Sequence, residues 1–253
     1  MCGYWSEAPF IWGMRVDNVL FVESGVLKEA EITELQPDFF AAWSELAESP
    51  IWVKIHDARI QDANGTVLVP TAAIRSIVYL VRNPLDVAVS FAFHAGNRDF
   101  KKYVNKLCDF GAVIAGEPKP DGSGGDTRQI RQRLLDWSGH VKSWMEADDV
   151  RPFLVRYEDM LNDPIHQLER VLIHCTPGAA IDRERLEKSV EETRFERLQE
   201  QEIKHGFYER APKQARFFRS GRTGDWRKYL SSDQVDRVVY AHGEMMQRLG
   251  YVP

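Results

Sequence analysis

The sequence is poor in cysteine and has no long apolar run. Among its 253 residues are three cysteines, Cys2, Cys108 and Cys175, an odd number without the spacing of a metal site. No stretch approaches the ~18 apolar residues that a membrane-spanning helix needs, and no basic segment followed by an apolar one marks a signal peptide. These absences predict a protein of the reducing cytoplasm that has neither a metal site nor a membrane partner.

The sequence also lacks the excess of positive charge that nucleic-acid-binding surfaces carry. Its 33 Lys and Arg residues are outnumbered by 38 Asp and Glu residues, which gives a net charge of −5. This balance argues against a nucleic acid as the main partner, but it leaves room for a local basic pocket that binds an anion. With 43% hydrophobic residues, the chain is predicted to form one domain over residues 1–253.

A glycine-rich phosphate loop of the nucleotide-kinase type is missing as well. The pattern Gly-x-x-x-x-Gly-Lys-Ser/Thr occurs nowhere in the sequence. A Gly/Ser cluster at residues 118–125 has no preceding strand and no closing lysine, so it is predicted to be a surface loop. A kinase function is therefore disfavoured.

What the sequence does contain is an alternation of apolar strands and amphipathic helices. This alternation predicts an α/β fold, with a mostly parallel sheet flanked by helices. Phe39, Phe40, Trp43 and Leu46 should lie on one face of the first helix. Strands are predicted at residues 51–56, 76–82 and 153–157, and helices at residues 37–48, 84–94, 127–146, 164–174, 182–192 and 231–249.

The junction between the second of these strands and its helix is the most informative stretch. Asn83 suits the N-cap of a helix and Pro84 its first turn, which places Arg82 at the carboxyl end of the strand and Ser90 two turns into the helix. Ligands of open α/β sheets bind at that edge, and an Arg beside a helix N-terminus suits a phosphate. The alternative is that Arg82 pairs with a surface carboxylate.

Two further side chains could carry chemistry on the strand predicted at residues 51–56. Because residues i and i+2 of a strand share a face, Lys54 and His56 should point the same way. Lys54 could neutralise charge that develops on an anionic group during transfer, and His56 could take the proton of an acceptor hydroxyl. In the alternative, Lys54 lies in solvent and His56 bonds to a backbone carbonyl.

Four segments of the chain form an ordered set that spans roughly residues 50 to 230. They are Lys54-Ile-His56, Arg82-Asn-Pro-Leu-Asp-Val-Ala-Val-Ser90, Val155-Arg-Tyr-Glu-Asp-Met160 and Phe218-Arg-Ser-Gly-Arg-Thr-Gly-Asp-Trp226. Together they resemble the cytosolic-type sulfotransferases, which use 3′-phosphoadenosine 5′-phosphosulfate (PAPS) as sulfonate donor. The resemblance implies a P-loop-NTPase-like fold. It also implies transfer of a sulfonate group from PAPS to a hydroxyl or amine of a small-molecule acceptor, without a metal.

The resemblance further implies roles for single residues. His56 would be the general base, and Lys54 would contact the transferred group. Arg82 and Ser90 would bind the 3′-phosphate. A second 3′-phosphate element would be formed by Arg219, Ser220 and Gly221, where the family usually has Lys at the position of Ser220. One cation is thereby lost, and the nearby Arg216 or Arg222 could replace it. The residues implied to lie near the adenosine are Tyr157, Thr193 and Phe195.

The sequence departs from the family's pattern at its start. The family's phosphosulfate-binding loop, of the type Tyr-Pro-Lys-Ser-Gly-Thr-Thr-Trp, is not found among the residues before Lys54. We therefore expect an N-terminally shortened chain that transfers sulfonate poorly. The alternative function is that of a degenerate family member that binds a nucleotide or a partner without catalysis. The acceptor and the oligomeric state stay open, a homodimer included.

Overall fold

The computed structural model describes residues 19–21, 29–61, 65–114, 132–207, 210 and 214–251. The chain divides into two compact units, here called unit 1 (Met1–Ile77 and Phe110–Arg151) and unit 2 (Val78–Asp109 and Pro152–Pro253). The single domain predicted over residues 1–253 stays a prediction. The Gly/Ser cluster of residues 118–125 lies outside the described residues.

Nine helices and four short strands make up the regular structure of the described residues. In chain order they are α1 (Glu29–Leu46), β1 (Val78–Val81), α2 (Pro84–His94), α3 (Phe100–Leu107), β2 (Val113–Ile114), β3 (Gln132–Arg133), α4 (Trp137–Met145), β4 (Phe153–Arg156), α5 (Tyr157–Asn162), α6 (Pro164–Cys175), α7 (Arg183–Glu192), α8 (Phe195–His205) and α9 (Ser232–Arg248). Short 3₁₀ turns lie at Thr71–Ala73 and Asp225–Lys228. In this part of the chain, no helix is long and apolar enough to cross a membrane.

The core of unit 2 is built on a parallel pair of strands. β1 and β4 run side by side in the same direction, with Val78 opposite Phe153. Val155 of β4 is buried, and it packs against Val171 and Cys175 of α6. A parallel pair requires a long crossover connection and has helices packed on its face, which is the α/β arrangement. The predicted α/β fold, the parallel pairing and both strands of this unit are confirmed, although each strand is shorter than predicted.

Helix α2 begins where the sequence predicts. Asn83 Oδ1 accepts a hydrogen bond from the Leu85 backbone N–H at 3.0 Å, and Pro84 is the first helical residue. The cap satisfies one of the amides that a helix start leaves unpaired, and proline has no amide to satisfy. Helices α6, α7 and α9 likewise begin directly after a side-chain cap, at Asp163, Asp182 and Ser231. All four helix starts are confirmed.

Helix α1 is longer than the sequence predicts. It begins at Glu29 rather than Pro37, which lies in its interior. Proline is a common first residue of a helix, so its presence suggested a start, whereas an interior proline costs about 3 kcal/mol. Burial of Phe39 and Phe40 helps to offset this cost. Leu46, predicted to share their apolar face, is exposed instead.

Helix α4 is shorter than the apolar pattern predicts. It starts at Trp137 rather than Thr127. Leu135 has a φ of +57°, in the left-handed region that a right-handed helix cannot contain. Asp136 then caps the helix by accepting from the Gly139 backbone N–H at 2.6 Å. Gln132 and Arg133 form β3, which pairs antiparallel with β2, and residues 127–131 lie outside the described residues.

The strand predicted at residues 51–56 is not formed. Residues 51–60 have no regular structure, and two of their amides bond to β3 instead. The His56 N–H donates to Gln132 Oε1 at 3.2 Å, and the Ala58 N–H donates to the Arg133 carbonyl oxygen at 2.7 Å. An apolar pattern shows where a strand could form, but a ladder also needs a neighbouring strand in register. The expectation that Lys54 and His56 share one strand face is therefore wrong.

Candidate functional site

Arg82 follows β1 directly and lies at the carboxyl end of the strand. Its guanidinium carbon is 4.2 Å from the centroid of the Tyr157 ring, and its Nη2 donates to the Arg222 carbonyl oxygen at 2.9 Å. Its Nε is buried and has no hydrogen-bond partner among the described residues. A guanidinium that lies over an aromatic ring and keeps an unused donor is suited to bind an anion.

Tyr157 and Ser90 are the other predicted ligands on this side of unit 2. Tyr157 is the first residue of α5 rather than the last residue of β4, and its ring supports the Arg82 guanidinium. Ser90 lies two turns into α2 and is partly buried. The structure thus brings Tyr157 and Arg82 into contact, two residues that the sequence placed near the same ligand.

A second group of predicted ligands gathers around one buried carboxylate. Asp225 accepts hydrogen bonds from Ser220 Oγ at 2.7 Å, from Lys228 Nζ at 2.9 Å and from Arg219 Nη2 at 3.2 Å. The bonds from Ser220 and Lys228 lower the pKa of Asp225 to about 2, so its carboxyl group is ionised at neutral pH. The Ser220 hydroxyl is thus bound to a carboxylate.

Arg219 also lies on aromatic rings. Its guanidinium carbon is 4.2 Å from the centroid of the Phe93 ring, at the end of α2, and 5.7 Å from that of Tyr229. The two rings meet edge to face, with 5.2 Å between their centroids. Stacking on these rings and the bond to Asp225 together fix the position of the Arg219 side chain.

Asp86 ties this loop to α2, a role that the sequence interpretation missed. Its side chain is only 2% exposed. Its Oδ2 accepts from the Gly224 N–H at 2.7 Å and its Oδ1 from the Trp226 N–H at 3.1 Å. The sequence signalled only an acidic residue in the first turn of a helix. Asp86 therefore connects the helix that carries Ser90 to the turn that carries Asp225.

Helix α8 holds the same loop from another direction. The buried Glu202 carboxylate accepts from the backbone N–H of Phe217 at 2.6 Å and from that of Phe218 at 3.0 Å. Gln199 donates to the Phe218 carbonyl oxygen at 2.6 Å. Thr193 lies just before this helix, and its hydroxyl donates to the Ser189 carbonyl oxygen at 2.8 Å. The two α8 side chains fix the backbone immediately before Arg219.

Gly221 and Phe195, two of the predicted nucleotide ligands, are in close contact. Gly221 has a φ of +59°, and a Cβ atom built at this position would lie 2.4 Å from Cδ2 of Phe195. The left-handed backbone disfavours any L-residue with a side chain, and the ring leaves no space for one. The position therefore requires glycine for two independent reasons.

We expect Gly221→Ala to destabilise the protein more than Gly178→Ala. Both glycines have a positive φ, but nothing lies within 4 Å of a Cβ atom at Gly178. The backbone conformation alone costs about 1–2 kcal/mol, and the overlap with Phe195 adds about 1–3 kcal/mol at Gly221. Chemical denaturation of the two variants measures the difference. Equal losses of unfolding free energy would contradict the close contact.

His56 lies in unit 1, in the irregular segment of residues 51–60. Its backbone is held on both sides. The N–H donates to Gln132 Oε1, and the carbonyl oxygen accepts from Nε2 of His140 at 3.1 Å. Burial lowers the pKa of His140, which favours the neutral ring with its proton on the donating nitrogen. Lys54 lies in the same segment and, like His56, is partly buried.

Asp57, next to His56, is a buried carboxyl that the sequence interpretation did not select. It is 3% exposed, and its Oδ1 accepts from the Arg133 backbone N–H at 2.8 Å. Its carbonyl oxygen accepts from the Trp144 indole N–H at 2.9 Å. Burial raises the pKa of Asp57 to about 7, although the bond from Arg133 acts in the opposite direction. Asp57 therefore anchors the segment that carries His56.

The raised pKa predicts how the stability of unit 1 depends on pH. The native carboxyl keeps its proton up to about pH 7, whereas the unfolded chain releases it at about pH 4. Between these values the native state binds more protons, so the free energy of unfolding falls as the pH rises. We expect this fall to be smaller in Asp57→Asn, by up to a few kcal/mol. Urea denaturation of both proteins across that range measures it, and parallel curves would contradict the assignment.

Comparison with known proteins shows which protein family this chain resembles. Residues 68–250 match the family model described as "Sulfotransferase domain". That span contains Arg82, Ser90 and the Arg219 loop, and it begins after Lys54 and His56. Sulfotransferase 1B1 of Canis lupus familiaris is 27% identical over 180 residues, which are 65% of this chain and 53% of that protein. Sulfotransferase 1C2 of Homo sapiens is 31% identical over 118 residues, which are 44% of this chain and 38% of that protein.

The chain spans about half the length of Sulfotransferase 1B1, both that of Canis lupus familiaris and that of Mus musculus. Among solved structures, it resembles retinol dehydratase, crystallised in a complex with retinol and PAP. That similarity has a TM-score of 0.54 at 21% sequence identity, and it covers 91% of this chain and 64% of that one. At this level of identity, the similarity shows a common fold.

Proposed function

The chain belongs to the sulfotransferase family, and from that premise we propose that it transfers a sulfonate group from PAPS to a hydroxyl or amine of a small-molecule acceptor. One observation carries this function above the others. Arg82, which has an unused donor, lies at the end of its strand, shortly before α2. Asp86 of α2 is hydrogen-bonded to the turn that carries Asp225. The two predicted phosphate-binding elements, at Arg82 and at Arg219, therefore belong to one hydrogen-bonded structure.

In this proposal, the nucleotide is bound by unit 2. Arg82 and Ser90 bind the 3′-phosphate together with Arg219 and the backbone amides of Ser220 and Gly221. The guanidinium groups supply charge and planar donors, and amides of a loop with a positive φ form an anion-binding concavity. Support comes from the contact of Phe195 with Gly221, since Tyr157, Thr193 and Phe195 are the residues proposed to lie near the adenosine.

The proposed chemical step uses His56 and Lys54. The acceptor oxygen forms a bond to the sulfur atom while the bond from sulfur to the bridging phosphate oxygen breaks, and the nucleotide leaves as 3′-phosphoadenosine 5′-phosphate (PAP). His56 takes the acceptor proton, and Lys54 stabilises the charge that develops on the sulfonate and bridging oxygens. The bonds from Gln132 and His140 to the His56 backbone support this assignment, because a base must be held in place.

A second candidate function is that of a nucleotide-binding protein without turnover. Ser220 favours it, because this residue removes one cation from the family's phosphate element and because its hydroxyl is bound to Asp225. Retention of both Lys54 and His56 favours the enzyme. For either function, we propose a cytoplasmic location, a small-molecule acceptor or ligand, no nucleic-acid partner, and a homodimer as the assembly to be tested first.

Two measurements on the full chain test the proposal. Calorimetric titration with PAP and with adenosine 5′-phosphate should show a clear preference for PAP, since only PAP carries the 3′-phosphate. Incubation with PAPS and a panel of phenols and alcohols should yield a sulfonated product. Binding of PAP without any product would favour the second function. Equal affinity for the two nucleotides would overturn the phosphate site itself.

A further inference from the structure

The charges around Asp225 leave Arg219 with little net attraction for an anion. The Asp225 carboxylate is buried, ionised and bonded to Arg219 at 3.2 Å, so these two groups form a neutral pair. Ser220, the next residue, contributes a hydroxyl and no charge. A doubly charged phosphate beside Arg219 and Ser220 would therefore meet, from these two residues, one cation that is already neutralised by an acid.

Lys228 changes this balance. Its ammonium group lies 2.9 Å from the second oxygen of the same carboxylate, which gives the group of Arg219, Asp225 and Lys228 a net charge of +1. The side chain of Lys228 is 64% exposed, so the ammonium can reorient towards a ligand without breaking a packed core. Both Lys228 and Ser220 bond to Asp225. Lys228 therefore lies beside position 220, where this chain has Ser instead of the family's usual Lys.

We propose that Lys228 is a nucleotide-binding residue that supplies, from the 3₁₀ turn Asp225–Lys228, the positive charge that position 220 lacks. Asp225 acts as the positioning residue, because it holds the two cations and the Ser220 hydroxyl around a single carboxylate. This inference rests on the proposed function, since it assigns Lys228 to the 3′-phosphate of the same nucleotide.

The neighbouring Arg227 provides a matched control. It carries the same charge one residue earlier, but its guanidinium lies on the Trp226 ring, with the guanidinium carbon 4.3 Å from the ring centroid. A general electrostatic effect of the turn would be lost equally in Lys228→Met and Arg227→Met. A direct contact with the phosphate would be lost only in Lys228→Met.

The experiment measures affinity for PAP and for adenosine 5′-phosphate by calorimetry, after thermal denaturation has shown that each variant is folded. We expect Lys228→Met to weaken PAP binding about tenfold, the scale of a charge-assisted contact at an exposed site, and to leave the affinity for adenosine 5′-phosphate unchanged. Arg227→Met should change neither affinity. Adding Ser220→Lys to Lys228→Met should restore PAP binding, because the cation then returns to the usual position.

The possible results separate this inference from the function on which it rests. If the unmodified chain does not distinguish the two nucleotides, the proposed function fails. If the unmodified chain prefers PAP and Lys228→Met keeps the full preference, only the role of Lys228 is overturned. Equal losses in Lys228→Met and Arg227→Met, or no rescue by Ser220→Lys, would also overturn it.

Discussion

Replacement of His56 by alanine is expected to slow sulfonate transfer at least ~10²-fold, which is the lower range for removal of a general base. The acceptor hydroxyl would have to give up its proton to water, so the loss should appear in kcat. Affinity for PAP should change little, because the proposed phosphate ligands belong to unit 2. Steady-state kinetics with PAPS and a phenol, together with calorimetry of PAP binding, measures both effects.

His166 offers a control for this substitution. It is exposed on the first turn of α6, where its backbone N–H bonds to Asp163, and His166→Ala should leave the rate unchanged. Should His56→Ala retain nearly full activity, the base is another residue. His94 is then the next candidate, at the end of α2 in edge contact with the Phe217 ring, with 5.7 Å between the ring centroids.

Replacement of Arg82 by alanine should weaken PAP binding by roughly 2 kcal/mol or more, about 30-fold in the dissociation constant. The variant loses a charged, planar donor and the contact between its guanidinium and the Tyr157 ring. Arg82→Lys should restore only part of the affinity, because an ammonium group lacks the planar fork of donors that binds two phosphate oxygens at once. Calorimetric titration with PAP gives all three values.

Arg185→Ala is the matched control, since Arg185 is an exposed arginine on α7 of the same unit. Its removal lowers the net charge equally but should leave PAP binding unchanged. A folded Arg82→Ala variant that binds PAP as tightly as the original chain would exclude Arg82 from the phosphate site.

Local signals account for the parts of the fold that the sequence predicted correctly. Asn83 and Pro84 specify the start of α2 within a few residues, as do the caps of α6, α7 and α9. Two errors have different causes, a distant hydrogen-bonding partner for one strand and a left-handed residue within one helical pattern. In the predicted strand at residues 51–56, the His56 amide bonds to a side chain of β3, and the left-handed Leu135 ends the helical pattern before α4. Neither effect has a signature in the local sequence.

The residues of the candidate site likewise fall into those that a local pattern predicts and those that it does not. Arg82 follows its strand as predicted, because an apolar run followed by a helix cap is a local pattern. The groups that organise the site are acidic side chains that bind remote backbone. Asp86 accepts from residues 138 and 140 positions away, and Glu202 from residues 15 and 16 positions away. A buried carboxylate cannot be distinguished from a solvated one by sequence alone, so these positions were missed.

The pairing of β1 with β4 also determines how long β1 remains unpaired during biosynthesis. Val78 and Phe153 are 75 positions apart, which a ribosome that adds about 5–20 residues per second needs about 4–15 s to cover. During that interval the apolar strand of residues 78–81 has left the exit tunnel without its partner. A nascent chain in this state exposes an open edge and an apolar face, which is the kind of segment that chaperones bind and that aggregates when they are scarce. Additional chaperone during expression should therefore raise the yield of folded protein.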